Sequence, residues 1–91
     1  MPNNYSIKET ASYQKNYQKK SYEGLYQKVK SVIYPVLKNE PRYGKRIRRL
    51  HGNLGIIYRY RVDEMSLFYF FDEDRKTIYL LEILKSINGP Y

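Results

Sequence analysis

The chain has 91 residues, room for one hydrophobic core rather than two. Seventeen Lys and Arg against nine Asp and Glu leave a formal charge of +8, which suits a nucleic acid, an acidic membrane surface or an acidic protein partner. With no cysteine and a single histidine, His51, the sequence excludes a disulfide framework, a zinc ribbon, a thiol nucleophile and a histidine metal cluster.

The first residues, Met1 to Tyr5, lack the apolar core of a signal peptide, and no segment approaches membrane-spanning length. The expectation is a single cytoplasmic domain over residues 1–91, with no membrane partner. Tyr5 to Glu9 alternates apolar and polar residues and predicts a short strand. Thr10 is placed to cap a helix reaching about Lys20, with Tyr13 and Tyr17 on one face. Ser21 could cap the next helix. There Leu25, Val29, Val32, Ile33, Val36 and Leu37 recur at helical spacing, extended by Tyr22 and Tyr26.

Pro35 lies inside that stripe and removes a backbone donor, which predicts a kink or a 3₁₀ ending near it. Asn39 to Tyr43 reads as an exit loop. Lys45, Arg46, Arg48 and Arg49 then put four basic residues into five positions, read as a basic loop running to a turn between Gly52 and Gly55. From Ile56 the period becomes two: Ile56, Tyr58, Tyr60 and Val62 point one way, Ile57, Arg59 and Arg61 the other. Asp63-Glu64 predicts a tight turn into a strand from Met65 to Phe71. A charged turn from Asp72 to Lys76 leads to a last strand from Thr77 to about Lys85. The order β-α-α-β-β-β predicts an α+β domain, a helical pair packed on one face of a largely antiparallel sheet.

A two-residue turn at Asp63-Glu64 sets Val62 opposite Met65, Arg61 opposite Ser66 and Arg59 opposite Phe68. One face of the hairpin is then continuously apolar and seats the helices. The other carries Ile57, Arg59, Arg61, Ser66, Phe68 and Phe70. Guanidinium forks suit phosphate and aromatic rings suit bases, so this face reads as an RNA surface. Arginines can also serve an open sheet for solubility alone, but that does not explain Phe68 and Phe70 beside them. Most of the twelve tyrosines fall on periodic apolar faces and read as core with a wet hydroxyl; base stacking is the sharper alternative. His51 could act as a base near neutral pH but reads as an ordinary loop residue. Asp72, Glu73 and Asp74 read as turn solvation rather than as metal ligands.

Arg49-Leu50-His51-Gly52, then Tyr58-Arg59-Tyr60-Arg61-Val62, a turn, and Leu67-Phe68-Tyr69 together resemble the RelE/ParE superfamily of bacterial and archaeal toxins, in its RelE-like branch. The resemblance covers nearly the whole chain, and its most specific element is Tyr58 to Val62. It implies a toxin of a type II toxin–antitoxin system, neutralised by a cognate antitoxin. In the RelE branch such a toxin enters the ribosome and cuts mRNA, the ribose 2′-hydroxyl attacking the adjacent phosphorus. That chemistry needs no metal and no small-molecule cofactor. The family's paired basic residues match Arg59 and Arg61; its basic residue at the end of the last strand most nearly matches Lys85, and its C-terminal tyrosine matches Tyr91. With these as catalytic residues, Lys45, Arg46, Arg48, Arg49 and Phe68 would contact RNA. The pattern departs from the family on the third strand, where Ser66 stands at the position of a usual arginine. Two further readings are a ParE-like inhibitor of DNA gyrase and a catalytically weak toxin fold retained for antitoxin binding.

Overall fold

The computed structural model describes residues 4–18, 23–52 and 55–85. Strand β1 (Ser6–Glu9) opens the chain, followed by helices α1 (Ala11–Asn16), α2 (Glu23–Lys28) and α3 (Tyr34–Asn39). Four more strands follow: β2 (Ile47–Gly52), β3 (Gly55–Val62), β4 (Met65–Asp72) and β5 (Thr77–Lys85). They form one sheet in the order β1-β5-β4-β3-β2, with β1 parallel to β5 and every other pair antiparallel. The α+β class and the helical pair on one face are as the sequence predicts; the number of strands is not. The basic segment taken for a loop is itself strand β2, paired along β3 from Ile47 opposite Tyr60 to Gly52 opposite Gly55.

Thr10 caps α1, its hydroxyl accepting from the Tyr13 amide at 3.3 Å. That helix stops at Asn16, short of the predicted end; the predicted end at Lys20 and the Ser21 cap lie outside the described residues. The second helical segment runs unbroken from Glu23 to Asn39. Its middle, Val29–Ile33, is a π turn in which the Tyr34 amide reaches back to the Val29 carbonyl. Pro35 follows one residue further on, after Tyr34. A proline lacks the donor for the carbonyl four residues back and its ring collides with that carbonyl, and widening the preceding turn relieves the conflict without ending the helix. The expected kink is thus a π turn rather than a 3₁₀ ending.

Val29, Ile33 and Leu37, spaced by four, are buried on the sheet against Tyr60, Val62, Leu67, Tyr69, Ile78, Leu80 and Ile83. Val32 and Val36, assigned to the same stripe by the sequence, face outward instead, 53% and 44% exposed. Beside the aliphatic core lies a tyrosine cluster. Tyr26 and Tyr34 both donate to the Glu9 carboxylate, at 2.9 and 2.8 Å, and the Tyr34 hydroxyl oxygen shares a further hydrogen bond with the Tyr13 hydroxyl at 3.1 Å. Burial pushes the hydroxyls of Tyr13, Tyr17 and Tyr34 far above their ordinary range, so they stay neutral donors within the core.

The β4–β5 ladder contains a bulge. Phe68 pairs with Glu82 but Tyr69 with Leu80, leaving Leu81 as the extra residue. Helix α1 and its cap satisfy the backbone there. Thr10 donates to the Leu80 carbonyl at 2.6 Å, Ser12 to the Leu81 carbonyl at 3.0 Å, and Asn16 accepts from the Ile83 amide at 2.7 Å. One extra residue in a period of two turns every later side chain to the other face, so Ile83 joins Ile78 and Leu80 in the core.

Candidate nucleic-acid interface

The β3–β4 hairpin forms in the predicted register: Val62 opposite Met65, Arg61 opposite Ser66, Arg59 opposite Phe68. Asp63 takes a positive φ of 52° in the turn, a conformation an aspartate tolerates, and its carboxylate is ion-paired with Lys28 of α2. With Tyr60, Val62, Met65, Leu67 and Tyr69 buried under the helices, alternation directs Arg59, Arg61, Ser66, Phe68 and Phe70 to the open face.

Strand β2 extends that face. Arg48 stands directly opposite Arg59, and the Arg61 amide donates to the Arg46 carbonyl at 2.9 Å. On the other side, β5 places Leu84 opposite Ser66 and Glu82 opposite Phe68. The open face thus has a basic end, from Arg46 and Arg48 to Arg61 and Arg59, and an aromatic end where Phe70 stacks on Tyr79 with centroids 4.9 Å apart and planes 17° apart. Phe70 is 38% and Leu84 41% exposed, apolar surface on the same face as the arginines.

Arg46, Arg48 and Arg61 make no ion pair among the described residues. Among the described residues the ion pairs join Lys28 to Asp63, Arg42 to Glu40 and Glu73, Arg75 to Asp72, and Lys76 to Glu73. None involves Arg46, Arg48, Arg49 or Arg61. Arg46 and Arg61 also line a cavity of about 180 Å³ at the hairpin end, closed on the helix side by Lys28 and Val32. Planar cations without carboxylate partners, beside exposed aromatic rings, can hold phosphates and stack bases.

The remaining predicted residues divide. Phe68 lies on the arginine face, half-buried between Arg59 and Glu82. Lys45 is exposed in the turn before β2. Arg49 is paired with Tyr58 and therefore lies on the opposite face from Arg48. His51, opposite Ile56, shares the parity of Arg49 and is exposed near the other end of β2. Lys85 pairs with Met65 and so stands at the end of the core-facing side, away from Arg59 and Arg61. Unbroken alternation from Ile78 would have put Lys85 with the arginines; the bulge at Leu81 reverses it. Tyr91 lies outside the described residues. Sequence reasoning missed strand β2, although its Gly52 and Gly55 already bracketed a turn consistent with a hairpin.

No protein-family model matches the sequence, and no curated protein matches it. Solved structures do. The chain is similar to a chain of the toxin–antitoxin complex RelBE2 from Mycobacterium tuberculosis, with a TM-score of 0.72 and 20% identity over 93% of this chain and 92% of that one. It is similar also to a chain of the archaeal RelE–RelB complex from Pyrococcus horikoshii OT3, with a TM-score of 0.68 and 19% identity over 93% and 98%. At these identities the likeness establishes the fold, and it is the fold that the Tyr58 to Val62 resemblance implies.

Proposed function

We propose that the chain is the toxin of a toxin–antitoxin pair, an endoribonuclease that cuts mRNA on the ribosome and is silenced by its cognate antitoxin. The observation that carries this reading is the open sheet face, where Arg48, Arg59 and Arg61 stand together on a fold shared with chains of RelB–RelE complexes. The ribose 2′-oxygen would bond to phosphorus as the bond to the 5′-oxygen breaks. The 2′-hydroxyl proton passes to an acceptor and the leaving oxygen gains one, giving a 2′,3′-cyclic phosphate. Arg59 and Arg61 would hold the scissile phosphate and stabilise the charge it gains; they stay protonated and cannot be the acceptor. Their geometry supports a grip on phosphate better than it supports a complete catalytic set.

A second reading, a catalytically weak fold retained to bind its antitoxin, is favoured by one observation. The β4 position across from Arg61 is Ser66, only 5% exposed, and Leu84 rather than a basic residue stands beyond it. Cleavage of mRNA on programmed ribosomes separates the two. The first reading expects parent activity that falls about 10²–10³-fold in Arg61→Ala, as for loss of one preorganised donor, in protein shown to be folded by circular dichroism. Full-length mRNA with the parent, and with Ser66→Arg as well, would leave the binding reading in its place. If translation proceeds normally while supercoiling stalls, the target is gyrase.

A further inference from the structure

Among the described residues strand β2 is the outermost of the sheet, and its consecutive arginines Arg48 and Arg49 point to opposite faces. Arg48 belongs to the open face. Arg49 enters a cavity of about 340 Å³ on the other side, whose remaining walls are Arg42, Tyr43 and Tyr58. The helices do not cover this part of the sheet: Tyr43 is 75% exposed and Tyr58 only half-buried.

The cavity is held open by contacts made elsewhere. Tyr58 is stacked on Tyr69, centroids 5.7 Å apart and planes 21° apart, and leans on Phe71 at 4.9 Å. Tyr69 donates from its hydroxyl to the Pro41 carbonyl at 2.6 Å, which pins the loop carrying Arg42 and Tyr43. Arg42 lies over the Phe71 ring at 5.5 Å and donates to Glu73 at 2.9 Å, so its charge is already matched. Arg49 has no carboxylate partner among the described residues and is the cation available to a ligand.

We infer that the cavity formed by Arg42, Tyr43, Arg49 and Tyr58 is a nucleotide subsite, and that single-stranded RNA held on the arginine face passes over the β2 edge to reach it. A base stacks against Tyr43 at the mouth, with Tyr58 as the fixed back wall, and Arg49 takes the phosphate. Its size falls at the small end of the roughly 300–1,000 Å³ range of ligand sites, suited to one nucleotide rather than to a folded partner. Two tyrosines around one unmatched guanidinium favour RNA over an acidic polypeptide, because bases offer π-faces and carboxylates do not. The inference rests on the RNA-directed reading of the arginine face, and its test keeps the two apart.

The test is fluorescence anisotropy of the full chain with a labelled single-stranded RNA of about 12 nucleotides, within the ~4–16 nucleotides typical of single-strand sites. Tyr43→Ala should weaken binding by about 5- to 100-fold, the usual cost of one lost stack, while Tyr43→Phe binds like the parent. Arg49→Ala should lower the slope of log affinity against log salt by about 0.7, one phosphate contact. Tyr43 is too exposed for its replacement to threaten folding. If Tyr43→Ala and Arg49→Ala bind as the parent does while Arg61→Ala binds weakly, the subsite is wrong and the arginine face stands. If poly-glutamate binding depends on Tyr43 and RNA binding does not, the cavity serves an acidic protein and the inference fails. Failure of the parent to bind RNA also overturns the subsite, while the nuclease reading is judged separately by cleavage on ribosomes.

Discussion

Arg48 and Arg59 are direct cross-strand partners on the open face, and the fold bears that repulsion without an ion pair to Arg48 among the described residues. Like charges directly opposite in a ladder cost about 0.2–1 kcal/mol. Replacing Arg48 with threonine, a residue of good strand propensity, should therefore stabilise the free protein by about that amount at low salt. For a domain of this size each kcal/mol moves the melting midpoint by about 4–8 °C, so Tm should rise by about 1–8 °C. The gain should fade towards 1 M salt, where the screening length falls to about 3 Å, and Arg48→Lys, which keeps the charge, should show none of it. The same Arg48→Thr substitution should weaken single-stranded RNA binding and reduce its salt slope by about 0.7. Thermal melts at low and high salt, paired with RNA titrations, read both effects. A lower Tm at low salt, or an equal rise at both salts, would refute the repulsion argument, since packing or propensity would then be the cause.

Two further outcomes follow from the core and from the β4–β5 turn. Leu37 is fully buried, so Leu37→Ala should cost about 2–5 kcal/mol in urea unfolding, whereas Val36→Ala, on the exposed side of the same helix, should stay within about 0.5 kcal/mol. The Glu73 carboxyl is held down at about 2 by its hydrogen bond from Lys76, then by that from Tyr5, with Arg42 adding to the effect. A depressed folded pKa means stability present above the ordinary carboxylate range and lost as pH falls through it toward 2. The parent should therefore lose Tm over that acid window, and Glu73→Gln should flatten the loss while melting lower near neutrality. Parallel Tm curves for parent and variant would show that Glu73 is not the group responsible.

How much of this was legible in the sequence depends on how many signals agreed at each segment. The β3–β4 hairpin could be read to the residue because alternation, a turn of two residues and a change of face at Arg59 and Arg61 all pointed the same way. Strand β2 could not, because its few apolar residues do not alternate on one face. Its Ile47 and Leu50 lie on opposite faces and its arginines on both. Pro35 announced a disturbance, but only the structure shows a π turn absorbing it. The outward-facing Val32 and Val36 show the limit of counting apolar spacing, which identifies a stripe without saying how wide a face the sheet can cover. The bulge at Leu81 was the least visible feature. It depends on hydrogen bonds from Thr10, Ser12 and Asn16, about 70 residues earlier in the chain, which no local pattern encodes.

That bulge bears on the chemistry more than any other single feature. A metal-free attack by a 2′-hydroxyl needs a proton acceptor, and among the described residues the bulge leaves the arginine face with one carboxylate, Glu82, separated from Arg59 by Phe68: guanidinium groups stay charged, and Lys85, the strand-end candidate, is turned to the other side. Buried tyrosines cannot substitute, because burial raises the Tyr69 hydroxyl, like those of Tyr13, Tyr17 and Tyr34, well above its ordinary range. Within the proposed reading, the acceptor is then Glu82, Tyr91 or a group supplied by the ribosome and its bound mRNA. If the ribosome supplies the acceptor, the face would bind free RNA and leave it intact; if Glu82 supplies it, free RNA would be cut and Glu82→Gln would stop the cleavage. The comparison of naked mRNA with mRNA on programmed ribosomes therefore probes the division of labour itself: grip from Arg48, Arg59 and Arg61, proton transfer from the same face or from the ribosome.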